Sequence, residues 1–172
     1  MLLSPPLHRD DRGYFKELYA AARYAAAGIA DAFVQDNLSF SRRNVLRGLH
    51  GDSRPTSKLV SVLAGEAYDV IADLRADSPT FGRWCGVTLV ASEHRQIYVP
   101  PGCLHGFLAL GDDVTLLYKQ SRAYDPACEI AVRWDDADLA IAWPLAGAVP
   151  ILSERDARSA GAAELGLLTG AP

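Results

Sequence analysis

From residue 58 onward the apolar positions come in short runs broken by turn-forming residues. Lys58 to Leu63, Ala67 to Leu74, Trp84 to Ala91, Arg95 to Val99 and Val114 to Ser121 are rich in Val, Leu, Ile and Tyr, which suit a pleated, half-buried surface. Between them stand Ala64-Gly65-Glu66, Asp77-Ser78-Pro79, Pro100-Pro101-Gly102 and Gly111-Asp112-Asp113. Short strands recurring about every ten residues predict an antiparallel sandwich or barrel, not a βαβ sheet. Upstream, Lys16 to Ala27 predicts a helix closed by Gly28. Downstream, Ser153-Glu154-Arg155-Asp156 opens an Ala- and Leu-rich tail, residues 153–172, predicted to be helical to Leu168. No repeat, Gly-rich phosphate loop or sustained heptad is present. The pattern predicts one mainly β, barrel-like domain with peripheral helices.

Composition narrows the partners. The chain has 172 residues, 49% of them hydrophobic, enough for one good core. Its 17 basic and 21 acidic residues give a net charge of −4, which argues against nucleic acid as a partner. No apolar run reaches the roughly 18 residues of a membrane span, and the proline-rich start does not read as a signal peptide. Cys85, Cys103 and Cys128 are widely spaced and lack a C-x-x-C pair. They read as small, buried, reduced thiols of a cytoplasmic protein.

Two of the four histidines lie in apolar surroundings beside glycine: His50 in Gly48-Leu49-His50-Gly51, and His105 in Leu104-His105-Gly106-Phe107. His8 and His94 sit in polar stretches and are expected to face solvent. Each apolar histidine reads either as a satisfied core residue or as a proton-transfer group. Strict alternation would send Arg47 and His50 to opposite faces of their strand, so both enter one cavity only if the chain bulges, with Gly48 the natural place. If Arg47 and Lys58 are buried, each needs an anionic partner, internal or from a ligand. Pro101-Gly102-Cys103-Leu104-His105 resembles the second motif of cupin barrels. A metal-binding cupin supplies about three histidines and a carboxylate; here the first motif offers only His50, so no metal is expected.

In order along the chain stand Asp11-Arg12-Gly13-Tyr14-Phe15-Lys16-Glu17, Gln35-Asp36-Asn37, Val45-Leu46-Arg47-Gly48-Leu49-His50 and Lys58-Leu59-Val60. Gly65-Glu66, Asp69-Val70, Ser78-Pro79-Thr80-Phe81-Gly82 and Pro101-Gly102 with His105-Gly106-Phe107 follow. Tyr118-Lys119, Tyr124, Arg133-Trp134-Asp135-Asp136, Trp143-Pro144 and Leu152-Ser153 with Asp156 complete the run. Across roughly residues 10 to 157 this pattern resembles the dTDP-4-dehydrorhamnose 3,5-epimerase family. The resemblance implies a cupin or jelly-roll-like antiparallel β-barrel, a homodimer, and no cofactor. It implies inversion of carbons 3 and 5 of a 4-keto-6-deoxyhexose carried on a nucleoside diphosphate, through an enolate.

By that resemblance His50 is the base and Asp156 its orienting carboxylate, although Ser153-x-x-Asp156 also reads as a helix capping box. Lys58 stabilises the enolate, where a strand-end lysine reaching water is the alternative. Tyr118 is the acid, or else a core tyrosine. Arg12 and Arg47 hold the diphosphate. Glu17, Gln35, Asn37, His105, Glu129 and Arg155 contact substrate, and Tyr124 stacks on the base or is merely a surface residue. The chain departs from the family where Gly51-Asp52 replaces Tyr-Gln, in a shorter loop to Lys58, at Leu38 and at Lys16, and in a largely missing first strand. Inversion at a single carbon, a heptose substrate, and a sugar-nucleotide-binding protein without catalysis are the alternatives left open.

Overall fold

A computed structural model of the chain describes residues 1–168. Its N-terminal strands are β1 (Leu2–Leu3), β2 (Leu7–Asp10) and β3 (Gly13–Lys16), followed by helix α1 (Ala21–Ala26). Next come β4 (Gln35–Ser41), β5 (Leu46–Asp52), β6 (Lys58–Ala64), β7 (Glu66–Asp73) and β8 (Trp84–Val90). Last are β9 (Gln96–Val99), β10 (Cys103–Ala109), β11 (Val114–Gln120), β12 (Glu129–Ala131) and helix α2 (Glu154–Ala157).

All ladders among these strands are antiparallel. One five-stranded sheet runs β1-β9-β6-β11-β4, a second runs β12-β5-β10-β7-β8, and β2 with β3 forms a separate hairpin. The expected cupin or jelly-roll-like barrel is therefore corrected: no sheet closes on itself. Closure needs hydrogen bonds between first and last strands, and here β1, β4, β12 and β8 remain edges. The apolar faces are buried by stacking sheet on sheet instead. Val60, Val62, Ile97, Val114 and Leu116 of one sheet share a core cluster with Ile71, Leu89, Phe107 and Ala109 of the other.

Both outer faces are also covered. Tyr24 of α1 and Ile29 pack on Leu59 of the first sheet. Val132, Leu139 and Ala162 pack on Leu49, Val70 and Leu104 of the second. That cover explains why β7 and β10 are apolar at successive positions, all seven residues of β10 being buried.

The two expected helices are much shorter than the pattern predicts. Lys16 closes β3, and only Ala21–Ala26 is helical. Residues before it are held extended by tertiary bonds: the Leu18 carbonyl accepts from Tyr24 Oη and Gln96 Nε2. Gly28, at φ +89°, does follow the helix end. In the tail, helix ends at Ala157, because Ala160 bridges to Val132 and the Ala162 N–H donates to Asp136. The last residues of the expected tail helix, 169–172, lie outside the described residues. The first strand is two residues long. Of the free cysteines Cys103 is buried, Cys128 half-buried and Cys85 exposed, which corrects the expectation for the latter two. His8 faces solvent, whereas His94 is half-buried against the Tyr14 ring.

Candidate active site

Between the two sheets opens a cavity of about 690 Å³. It begins where the inner faces stop being apolar. On β11, Val114 and Leu116 belong to the core, and the next residues of that face, Tyr118 and Gln120, line the cavity. On β6, Val60 and Val62 are core and Lys58 lines the cavity. His50 and His105, paired across β5 and β10, face them from the other sheet.

A bulge brings Arg47 and His50 to this one cavity. Between the pairs His105↔His50 and Phe107↔Arg47 the register slips, with the extra residue on β5. Gly48 lies there at φ +119°, and its peptide bond to Leu49 is cis. A Cβ on Gly48 would stand 2.6 Å from the Gly106 Cα and 2.8 Å from the His105 oxygen, so the strands approach this closely only because both positions are glycine.

His50 Nε2 lies 2.7 Å from Asp156 Oδ1. Asp156 is 3% exposed and its backbone N–H donates to Ser153 Oγ at the start of α2, so the residue that takes part in the cap also contacts His50. Burial raises the Asp156 carboxyl, but the hydrogen bond and charge of His50, with Ser153 and Arg155, prevail and lower it. An ionised carboxylate only accepts, so Nε2 carries the ring hydrogen and Nδ1 keeps the basic lone pair. Arg155 Nη2 is 3.0 Å from the same Nε2. A nitrogen already donating to Asp156 cannot accept a second proton there, so this contact is no hydrogen bond for a neutral ring; the shorter Asp156 bond governs. The Arg155 guanidinium is held instead by Glu129, at 2.5 Å.

The ammonium of Lys58 is turned inward and donates to the His50 carbonyl at 3.3 Å, which corrects the picture of a lysine reaching water. Burial pushes it down to about 8, against the opposing pull of Glu129, Asp69 and Asp52. It stands 5.9 Å from the Tyr118 ring centroid. Burial also raises the Tyr118 phenol, so it is protonated at neutral pH. Arg47 donates to Ser41 Oγ and the Phe40 carbonyl. Among the described residues neither Arg47 nor Lys58 forms a salt bridge. The cavity thus holds two cations without carboxylate partners, and no group of three or more His, Cys, Asp or Glu placed to hold a metal ion is found among the described residues.

Of the residues expected at the site, His50, Asp156, Lys58, Tyr118, Gln35, Asn37, Arg47, His105, Tyr124, Glu129 and Arg155 line this cavity. Arg12 and Glu17 do not: Arg12 pairs with Asp10 at the tip of the β2–β3 hairpin, and Glu17 with Arg23 beside α1. Asp69 is an addition: it stands in one of the motifs, which assign it no role at the site. It is fully buried and accepts from His105 Nε2 at 2.9 Å. Its signal is a carboxylate set inside the apolar run Ala67–Leu74, as Asp73 also is near the end of that run, since a buried carboxylate needs a partner. The departures from the family pattern also separate. Gly51, Asp52 and Leu38 all line the cavity, but a side chain at Gly51 would meet Leu104 and Ile130 of the outer layer. Lys16 lies outside it, donating to the His94 carbonyl.

A base held by a buried carboxylate, an ammonium and a phenol, set around one cavity, can move a proton at carbon; this is the equipment of an isomerase. The comparisons with known proteins agree. The family model of dTDP-4-dehydrorhamnose 3,5-epimerase matches residues 1–164. The protein of that name from Pseudomonas aeruginosa is 45% identical over 158 residues, 91% of this chain and 87% of its own. A crystal structure of dTDP-6-deoxy-D-glucose-3,5-epimerase from Legionella pneumophila, in complex with dTDP-4-keto-L-rhamnose, superposes with a TM-score of 0.91 at 43% identity, covering 99% of this chain and 93% of that one. The structure of a 3'-monoepimerase from Streptomyces bikiniensis, in complex with dTDP-quinovose, gives 0.89 at 37% identity, covering 97% and 87%. The chain belongs to the dTDP-4-dehydrorhamnose 3,5-epimerase family.

Proposed function

We infer that the protein is a nucleotide-sugar 3,5-epimerase, inverting carbons 3 and 5 of a nucleoside-diphosphate-linked 4-keto-6-deoxyhexose. The observation that carries this reading is the His50–Asp156 pair on one side of the cavity with Lys58 and Tyr118 on the facing sheet. A proton α to the ketone passes to His50 Nδ1, and the carbon–hydrogen electron pair delocalises onto the ketone oxygen. The Lys58 ammonium stabilises that enolate, while Asp156 stabilises the imidazolium. Tyr118 then delivers its proton to the carbon from the opposite face, and the phenolate and imidazolium are reset by exchange with water.

Arg47 is the diphosphate cation, and Gln35, Asn37, His105, Glu129 and Arg155 contact the remainder of the substrate, with Tyr124 beside the base. Arg12 and Glu17 serve a partner subunit's site in a homodimer. Support for that comes from β4, an unpaired edge bearing exposed Leu38 (67%) and Phe40 (56%), and from exposed Phe15 (71%) on the hairpin. No helix among the described residues is long and apolar enough to cross a membrane. The free cysteines support a cytoplasmic site of action.

The test is incubation with a dTDP-4-keto-6-deoxyhexose in deuterium oxide, read by NMR. Label entering carbons 3 and 5 is the expected result. Label at one carbon alone would make the protein a mono-epimerase, as the Streptomyces bikiniensis neighbour is, and label at neither removes the epimerase reading.

A further inference from the structure

Two segments at the cavity mouth are stitched together by a residue that does not line the cavity. Asp52, at the end of β5, lines it. Its carboxylate accepts from Arg54 three times: from the backbone N–H at 2.8 Å, from Nε at 3.0 Å and from Nη2 at 2.9 Å. This is a forked ion pair folded over a tight turn. The side-chain bond to Arg54 is also the largest cause holding the Asp52 carboxyl below its ordinary value.

The guanidinium has arms to spare. Nη2 also donates to the Ala123 carbonyl at 3.3 Å, and Nη1 lies 3.5 Å from Asp125 Oδ2. These two residues flank Tyr124. Neighbouring bonds run the same way, Ser53 N–H to the Cys128 carbonyl at 2.8 Å and Arg122 Nε to the Pro55 carbonyl at 3.1 Å. Tyr124 itself is 52% exposed, so little packing holds its ring. Its place depends on polar ties: its N–H to Gln35 Oε1, its hydroxyl to Glu129, and the Arg54 bonds on either side of it.

We propose that Arg54, held by Asp52, is a positioning residue that fixes the 122–125 segment and so sets the Tyr124 ring against the nucleobase. The inference rests on the reading of the cavity as a nucleotide-sugar site. It also accounts for the departure at Asp52: a carboxylate there recruits the arginine that a neutral amide would hold less firmly.

The test separates nucleotide binding from proton transfer. Arg54→Ala should weaken dTDP binding, read by calorimetry, by about tenfold, the lower end of the range for one lost hydrogen bond to a charged group. KM should rise with it, while kcat for deuterium exchange at saturating substrate stays within about twofold, the signature of lost ground-state binding. Tyr124→Ala should weaken dTDP as well, and Arg54→Ala with Tyr124→Ala together no further than Tyr124→Ala alone. Arg54→Lys keeps a cation beside Asp52 but lacks the second arm, so a smaller loss in the same direction is expected even if Arg54→Ala fails to fold. Wild-type dTDP affinity in both Arg54 variants, or losses that multiply in the double variant, would overturn the inference. If the wild-type protein binds no dTDP, the nucleotide-sugar reading falls with it.

Discussion

Asp156→Asn isolates the charge of the His50 partner from its shape. Asparagine is nearly isosteric, and the N-terminal cap of α2 survives because it uses the backbone N–H of residue 156 and Ser153 Oγ. What disappears is the carboxylate 2.7 Å from Nε2, at a position only 3% exposed. In the proposed mechanism a neutral ring donates to the carboxylate before proton abstraction, and an imidazolium–carboxylate pair follows it. A hydrogen bond to a charged group is worth about 1.5–3 kcal/mol, and each 1.36 kcal/mol is a factor of ten in rate. Solvent deuterium uptake at saturating substrate should therefore slow by about 10- to 150-fold, with dTDP affinity unchanged. A folded variant that exchanges within about twofold of wild type would refute the assignment of Asp156. Stability gives an independent reading with a defined sign. The folded carboxyl titrates below its unfolded value, so its contribution is present above the unfolded pKa near 3.9 and is lost as pH falls through the folded one. The wild-type melting temperature should carry that acid limb, and the Asp156→Asn curve should lack it.

Lys58 sets an alkaline limit. With its ammonium pushed down to about 8 by burial, kcat/KM, which reports the free enzyme, should fall above that pH, and a profile still flat at about pH 9.5 would remove Lys58 from enolate stabilisation. The stability sign runs the other way: the unfolded chain holds this proton more tightly, so stability rises with pH between about 8 and 10.4. Gly48→Ala meets both a positive φ and the Gly106 Cα at 2.6 Å; strain and overpacking of about 2–4 kcal/mol should lower the melting temperature by roughly 5–15 °C. An unchanged melting temperature would refute the close approach of β5 and β10.

Much of the site is legible in the sequence because its chemistry is tied to neighbouring residues. The run from Val45 to His50 carries the conflict that Gly48 resolves, two functional side chains on opposite faces of a regular strand. Asp69 is open to the same logic, as a carboxylate inside an apolar run. Arg12 and Glu17 are not placed by such reasoning, since the hairpin of Arg12 pairs only with itself in this chain and Glu17 follows it, paired with Arg23. The helices fall short of the pattern for a related reason. Alanine-rich stretches favour helix by propensity, and at Lys16 to Ala20 and beyond Ala157 that preference loses to bonds reaching Gln96, Val132 and Asp136.

The sequence by itself determined the strand character, the family and most of the residues that line the cavity, because alternation and motif order are properties of neighbouring residues. Only the tertiary structure decided that the sheets stay open and stack, since closure depends on which distant edges meet. It alone also showed that both Gly51 and Asp52 line the cavity, while a side chain at Gly51 would meet the outer layer and that of Asp52 is bound to Arg54. Two adjacent residues on a strand face opposite ways, and which way is inward is fixed by what packs on each face.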